Sequence, residues 1–267
     1  MSKFAYVTMM TGGDAYVPGV EALGQSLLAT GTKIPRVCMV TADVSAEART
    51  QLEAQGWIMR DVEPIPAPTT DELLFKRFAL SYVKLRAFQL TEYEKVVFLD
   101  ADTIVLQNIE ELFERPFFAA APDFFMPDRF NSGVMVLDPS EQLFEELLAS
   151  LGKLPTYDGG DQGVLNSHWP KWWDMAPGHR LPAAYNFHHF IYEFMQVHEG
   201  LKKAFLHEIK IVHFTVQKPW QSFTLTGGSK VWWENFYLAH PEKKSKFRDG
   251  LHKIQDGVFD KFVGMIE

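Results

Sequence analysis

Residues 95–102 read Lys-Val-Val-Phe-Leu-Asp-Ala-Asp, an unbroken apolar run closed by two acids one residue apart. A run this short and without alternation predicts a strand covered on both faces, as in a parallel sheet flanked by helices. Upstream, runs of the same kind lie at Phe4 to Met10 and at Arg36 to Thr41. Between them Val20, Leu23, Leu27 and Leu28 fall at helical spacing, and Gly31 ends the segment, which makes a strand-helix-strand unit. Ser45 precedes a further helix carrying Ala48 and Leu52, and Gly56 leads into a third strand from Trp57 to Val62. Alternation of this kind predicts an α/β fold.

The stretch Glu63-Pro64-Ile65-Pro66-Ala67-Pro68 reads as a surface connection, because proline removes a donor and restricts the residue before it. Phe78, Tyr82, Leu85 and Phe88 predict a helix leading into the 95–99 strand. Further strands are predicted at Phe117 to Ala121, Gly133 to Leu137 and Lys210 to Thr215, with a helix from Glu141 to Leu148. The remainder, with Trp169, Trp172, Trp173, Trp232 and Trp233, reads as aromatic and irregular. No repeat and no linker divides the chain, so one domain is expected over 1–267.

At 267 residues, with 46% hydrophobic and 22% charged, the chain is neither fibrous nor disordered. Its net charge of -8, from 34 acids against 26 scattered basic residues, offers no footprint for nucleic acid. An acidic chain that handles an anion needs local cations or a metal. A lone cysteine, Cys38, forms no internal disulfide and fits a reducing compartment. The N-terminus does not read as a signal peptide, and no apolar run approaches the ~20 residues of a membrane span, so a cytoplasmic protein without a membrane partner is expected.

Ligands of open parallel sheets bind beyond the carboxyl ends of strands, which is where Asp100 and Asp102 fall. A divalent cation would explain their convergence; a turn acid followed by a helix-capping acid is the plainer alternative. His213, within Ile211-Val212-His213-Phe214-Thr215, is either a satisfied core residue or the third member of a carboxylate, carboxylate, imidazole set suited to Mn²⁺. Lys218 is either a point charge for a diphosphate or a solvated surface cation. In Asp158-Gly159-Gly160-Asp161-Gln162-Gly163, the Asp-Gln pair can bind several sugar hydroxyls, or the segment is a turn with Asp161 capping a helix toward Leu165. Asn131-Ser132-Gly133 supplies small polar donors at a strand start, or a tight turn. His188 and His189 read as aromatic surface or acceptor-site residues. Phosphate-cradling loops of the P-loop or dinucleotide type and the Gly-x-Ser-x-Gly elbow are missing.

With these residues the chain resembles the glycogenin-type retaining enzymes of glycosyltransferase family eight, up to about Trp220. The resemblance is carried by Val7-Thr8, Asp14-Ala15-Tyr16, Lys76-Arg77, Lys84, Val97 to Thr103, Phe130-Asn131-Ser132-Gly133, Asp158 to Gly163, Val212-His213-Phe214 and Lys218-Pro219-Trp220. It implies a single GT-A domain with a mixed, mostly parallel central sheet, a nucleotide-binding half at about 1–105 and a sugar and acceptor half at about 106–267. It implies UDP-glucose or UDP-galactose as donor and Mn²⁺ held by Asp100, Asp102 and His213. Thr11, Tyr16 and Arg77 would meet the nucleoside, and Ala101 the donor. Lys84 and Lys218 would neutralise the diphosphate, while Asn131, Ser132, Asp158, Asp161 and Gln162 would hold the sugar. Lys84, Asp161 and Gln162 carry the catalytic expectation. The reaction implied is retaining transfer to a glycan or protein-linked glycan hydroxyl, by same-face internal return or by double displacement through Asp161.

Departures from the pattern are an inserted residue within Met9-Met10-Thr11-Gly12-Gly13 and a glycine replaced within Thr215-Val216-Gln217. The family's self-glucosylated tyrosine has Tyr192 as its counterpart, one residue short and set among His and Phe, so Tyr192 is expected to be an acceptor-pocket aromatic. The primer's long linker and tail have no counterpart, which favours a separate acceptor over a self-glucosylating primer. The compact cytoplasmic relatives of protists, among them α-galactosyltransferases capping a glycan on a ubiquitin-ligase adaptor, resemble the chain better. Relatives are often homodimers.

Overall fold

A computed structural model describes residues 2–68, 76–216, 218–221 and 227–241, with the side chains of residues 76, 77 and 227–229 outside that description. In chain order the elements are β1 (Phe4–Met10), α1 (Val17–Ala29), β2 (Arg36–Val40), α2 (Ala46–Ala54), β3 (Trp57–Asp61), β4 (Lys95–Leu99), β5 (Thr103–Val105), β6 (Ala119–Pro122) and β7 (Phe130–Leu137). There follow α3 (Glu141–Ser150), α4 (Asp161–His168), β8 (Phe187–His188), α5 (His189–Val197), α6 (Glu199–Phe205), β9 (Ile211–His213) and α7 (Gly227–Ala239).

The main sheet has the order β3-β2-β1-β4-β7-β6, in which β1 to β4 run parallel and β7 pairs antiparallel with both β4 and β6. It is therefore mixed and mostly parallel. Alternate strand residues feed two cores. Tyr6, Cys38, Val97 and Leu99 pack with Val20, Leu23 and Leu27 of α1, whereas Val7, Met39, Val96 and Phe98 pack with Phe88, Phe144 and Leu165. Burial on both faces is the reason these strands read as continuous apolar runs. Ser45 and Ser140 accept hydrogen bonds from Ala48 N (3.1 Å) and Leu143 N (3.3 Å), starting α2 and α3. A second sheet, β5-β9-β8, stands beside the main one. Among the described residues no helix is long and apolar enough to cross a membrane.

The structure departs from the sequence reading in three places. Lys76–Gln89 winds as a 3-10 segment, not an α-helix. Tyr82, Val83, Lys84 and Leu85 are buried in succession, so no face is left for solvent and tertiary partners set the winding. Strand β6 starts at Ala119 and β7 at Phe130, because a register shift between Ala120 and Ala121 lets Ala121 and Pro122 pair with Asn131 and Phe130. The region read as irregular holds α4, α5, α6 and α7, with Trp232 at the centre of a third core with Ile104, Val212 and Phe236.

Candidate functional site

Strand β4, inside the main sheet, ends at the two acids. Asp100 N donates to Gly133 O (2.8 Å), and Asp100 O accepts from Thr103 N (3.0 Å) and Thr103 Oγ1 (2.7 Å). This tight turn breaks the alternation of an extended chain and brings both carboxylates to one side. Helix α1 packs hard against it: a Cβ at Gly19 would lie 2.5 Å from Ala101 O. The chain continues as β5, whose pairing with β9 sets Thr103 opposite His213. His213 Nε2 thus comes to 3.1 Å from Asp102 Oδ1 and 3.8 Å from Asp100 Oδ2. One ligand atom from each of the three residues lies within 4.8 Å of the others.

The imidazole is oriented by a relay of side chains. Asn131 Nδ2 donates to Asp123 Oδ2 (3.0 Å), Asn186 Nδ2 donates to Asn131 Oδ1 (2.8 Å), and Asn186 Oδ1 then accepts from His213 Nδ1 (2.7 Å). With Nδ1–H so engaged, Nε2 turns to two carboxylates, and a proton or a cation must lie between them. Two carboxylates and an imidazole with its outer nitrogen anchored make a fitting donor set for a divalent cation. Gly133 makes room for the ring, since a Cβ there would lie 2.2 Å from His213 Cε1.

Two lysines balance the acids. Lys84 Nζ lies 3.0 Å from Asp100 Oδ1 and 3.1 Å from Asp161 Oδ2, and donates to Ser132 Oγ (3.1 Å) and Ser132 O (3.3 Å). Lys218 Nζ pairs with Asp102 Oδ2 and donates to Phe214 O (2.8 Å) and Thr215 O (3.0 Å). Burial pushes the Asp100 carboxyl up against the pull of Lys84. Burial acts the same way on Asp102, but Lys218 and His213 outweigh it and hold that carboxyl well below the ordinary range. For Lys84 desolvation opposes the charge, yet Asp100 and Asp161 keep its ammonium above the usual lysine value.

In the 158–163 segment, Asp158 Oδ1 accepts from Gly160 N (2.9 Å), Gly163 N (3.1 Å) and Thr156 Oγ1 (2.9 Å), so Asp158 braces its own loop. Asp161 opens α4 without capping it; its carboxylate goes to Lys84 instead. Gln162 Oε1 accepts from Ser132 N (3.1 Å), while its Nε2 donates to Tyr157 Oη (3.0 Å) and Asp123 Oδ2 (3.2 Å). Asn131 and Ser132 lie inside β7 and not in a turn.

A cavity of about 560 Å³ gathers Thr11, Tyr16, Lys84, Asp100, Ala101, Asp102, Asn131, Ser132, Asp158, Asp161, Gln162, His213 and Lys218. The donor and metal residues expected from the sequence are all among them apart from Arg77, whose side chain lies outside the described residues. Trp220 Nε1 donates to Ala15 O (2.9 Å), and its ring stands edge-on to Tyr16 (5.5 Å), bringing the Lys218 segment against the loop after β1. Asp123, Asn186 and Tyr157 also line the cavity and escaped the sequence reading, while His188, expected at the surface or in an acceptor site, lines it too. Asp123 meets Gln162 across 39 positions and Asn186 meets Asn131 across 55, relations that no local motif carries.

The two histidines are not surface residues: His188 and His189 are both buried. Burial pushes each imidazole down to about 4. Tyr192 is packed in the third core with Ile104, Val212 and Trp232 and is not among the residues that line this cavity.

A model of the family described as Glycosyl transferase family 8 matches residues 7–224. Glycogenin-1 of Caenorhabditis elegans is 37% identical over 248 residues, covering 91% of this chain and 57% of the relative. Inositol phosphorylceramide glucuronosyltransferase 1 of Arabidopsis thaliana is 43% identical over 169 residues, covering 63% of this chain and 30% of that protein. The chain thus spans little more than half of the first relative and less than a third of the second. Among solved structures, the glycosyltransferase GlyE of Streptococcus pneumoniae TIGR4 superposes with a TM-score of 0.61 at 22% identity, covering 91% of this chain and 64% of that one. That likeness is one of fold.

Proposed function

Because the chain belongs to glycosyl transferase family 8, we propose that it transfers glucose or galactose from a UDP donor to a glycan hydroxyl, with retention and with Mn²⁺ on Asp100, Asp102 and His213. The observation that carries this reading is the convergence of those three side chains in one cavity with two lysines and the Asp161-Gln162 pair. When bound, the metal would supply positive charge to the diphosphate as it leaves. Lys84 and Lys218 add two further cations where negative charge develops. Thr11 and Tyr16, beside the turn at Ala101, line the part of the cavity assigned to the nucleoside. Asn131, Ser132 and Gln162 present amide and hydroxyl groups that suit sugar hydroxyls.

Asp161 stands 3.1 Å from the Lys84 ammonium, an arrangement that weakens a carboxylate as a nucleophile. This favours internal return, in which the departing phosphate oxygen takes the acceptor proton and no protein base is needed. The acceptor in this reading is a separate glycan, in a cytoplasmic setting such as a glycan on a ubiquitin-ligase adaptor, and the enzyme works as a homodimer. Incubation with UDP-glucose and UDP-galactose, with and without Mn²⁺, should release UDP only when the metal is present. Lack of release from either donor would overturn the reading.

Tyr192 separates this reading from that of a self-glucosylating primer. Burial holds its phenol above the usual range, and α5 sets it in a core. Tyr192→Phe should therefore keep transfer to an added glycoside within a factor of two, at a stability cost of about 0.5 to 1.5 kcal/mol for one lost hydrogen bond. Mass spectrometry reads the alternative: hexose on wild-type Tyr192, absent from the variant, would establish the primer.

A further inference from the structure

The loop between β6 and β7 holds large apolar side chains in water on a rigid base. Asp123 Oδ1 accepts from Phe125 N (2.9 Å) and Met126 N (3.2 Å), and Asp123 N and Arg129 N close the loop on Arg129 O and Met126 O (both 2.8 Å). From this base Phe124 and Phe125 project at 50% and 69% exposure, edge to face at 5.1 Å. Two such rings left in solvent forgo the burial that apolar side chains favour, and exposed apolar clusters of this kind mark binding surfaces.

Behind them stands His188. Its Nδ1 accepts from Phe190 N (3.3 Å), so the proton is on Nε2, which donates to Thr215 Oγ1 (2.9 Å). The ring is thus uncharged and fixed, lying 5.0 Å from Phe124 and 6.0 Å from Phe125. All three rings line the same cavity as the acids and lysines. The loop's anchor also reaches the donor side, because Asp123 Oδ2 accepts from both Asn131 and Gln162. Anything lying on Phe124 and Phe125 is therefore next to the groups assigned to the donor sugar.

We propose that Phe124 and Phe125, backed by His188, form the acceptor platform of the enzyme, on which the C–H face of a pyranose ring stacks so that its hydroxyl meets the donor. The acceptor class is a glycoside. Sugar rings pair a C–H face with a polar rim, and the lining of this cavity pairs aromatic faces with the Tyr157 hydroxyl and the Gln162 amide. A purely apolar chain would strip water from those two groups without replacing it.

The inference rests on the UDP-hexose reading above, so the test reads the two separately. Methyl and p-nitrophenyl glycosides of glucose, galactose and maltose are offered with UDP-hexose and Mn²⁺, and both transfer and donor hydrolysis are measured. In Phe124→Ala/Phe125→Ala the acceptor KM should rise about tenfold and the ratio of transfer to hydrolysis should fall by a similar factor. Phe124→Tyr/Phe125→Tyr should restore both. An unchanged acceptor KM, a proportional loss of transfer and hydrolysis, or wild-type hydrolysis with no glycoside accepted would each overturn the platform. So would conversion of a wild-type dimer to monomer in the double variant, since the rings would then serve a second copy. Absence of any wild-type hydrolysis would instead bring down the donor reading, and the platform with it.

Discussion

In Asp102→Asn, Mn²⁺-dependent UDP release should fall by about three orders of magnitude, and the protein should also melt at a lower temperature. The first effect follows from losing a charged ligand beside the diphosphate, where charge stabilisation of several kcal/mol is at stake and each 1.36 kcal/mol is tenfold. The second follows from burial. Asp102 is the carboxylate shared by Lys218 and His213, and removing one member of a buried pair strands the other at a cost of about 3 to 5 kcal/mol. For a chain of this size that corresponds to a fall on the order of 10 °C. Rates are therefore compared below the variant's melting point, beside a calorimetric Mn²⁺ titration. Wild-type turnover with Mn²⁺ in a folded Asp102→Asn protein would remove Asp102 from the metal set.

Gly133→Ala tests the same centre without touching a ligand. The added methyl would overlap His213 Cε1 and lie 2.7 Å from Nδ1 and 2.9 Å from Asn131 Oδ1. The ring cannot simply turn away, since Asn186 holds Nδ1 and β9 is paired with both β5 and β8. Displacing an oriented ligand in this manner should weaken Mn²⁺ binding about a hundredfold while the far-UV circular dichroism stays that of the wild type. An unchanged Mn²⁺ affinity in the folded variant would show that His213 is a core residue and that Gly133 serves packing alone.

The strands β1, β2 and β4 were legible because each is a local apolar run whose burial on two faces leaves a mark in composition. Asp100 and Asp102 were legible for a related reason, as acids directly after such a run at the functional end of a parallel sheet. The winding of 76–89 was not, because Lys84 and Tyr82 are placed by Asp100, Asp161 and Gly159 O, all distant in sequence. Helix α7 was hidden by its tryptophans, which suit a strand or a helix equally until their partners are known. Asn186 and Asp123 show the limit most clearly. Each is an ordinary polar residue whose meaning lies in a relay through space to His213, and the histidine itself could not be told from a core residue until that relay was seen.

The lysines carry a further consequence. Each is held by a carboxylate that would have to share or release it if the ammonium is to serve a phosphate: Lys84 by Asp100, Lys218 by Asp102. On the proposed reading, cation and diphosphate would not add themselves to a bare cluster of acids; they would trade partners with an existing pair of internal salts. A cation arriving alone competes with an ammonium for each carboxylate, and a diphosphate arriving alone competes with a carboxylate for each ammonium. Arriving together, they would relieve both competitions in a single exchange, so each ligand would strengthen the other's hold, reciprocally and by the same factor.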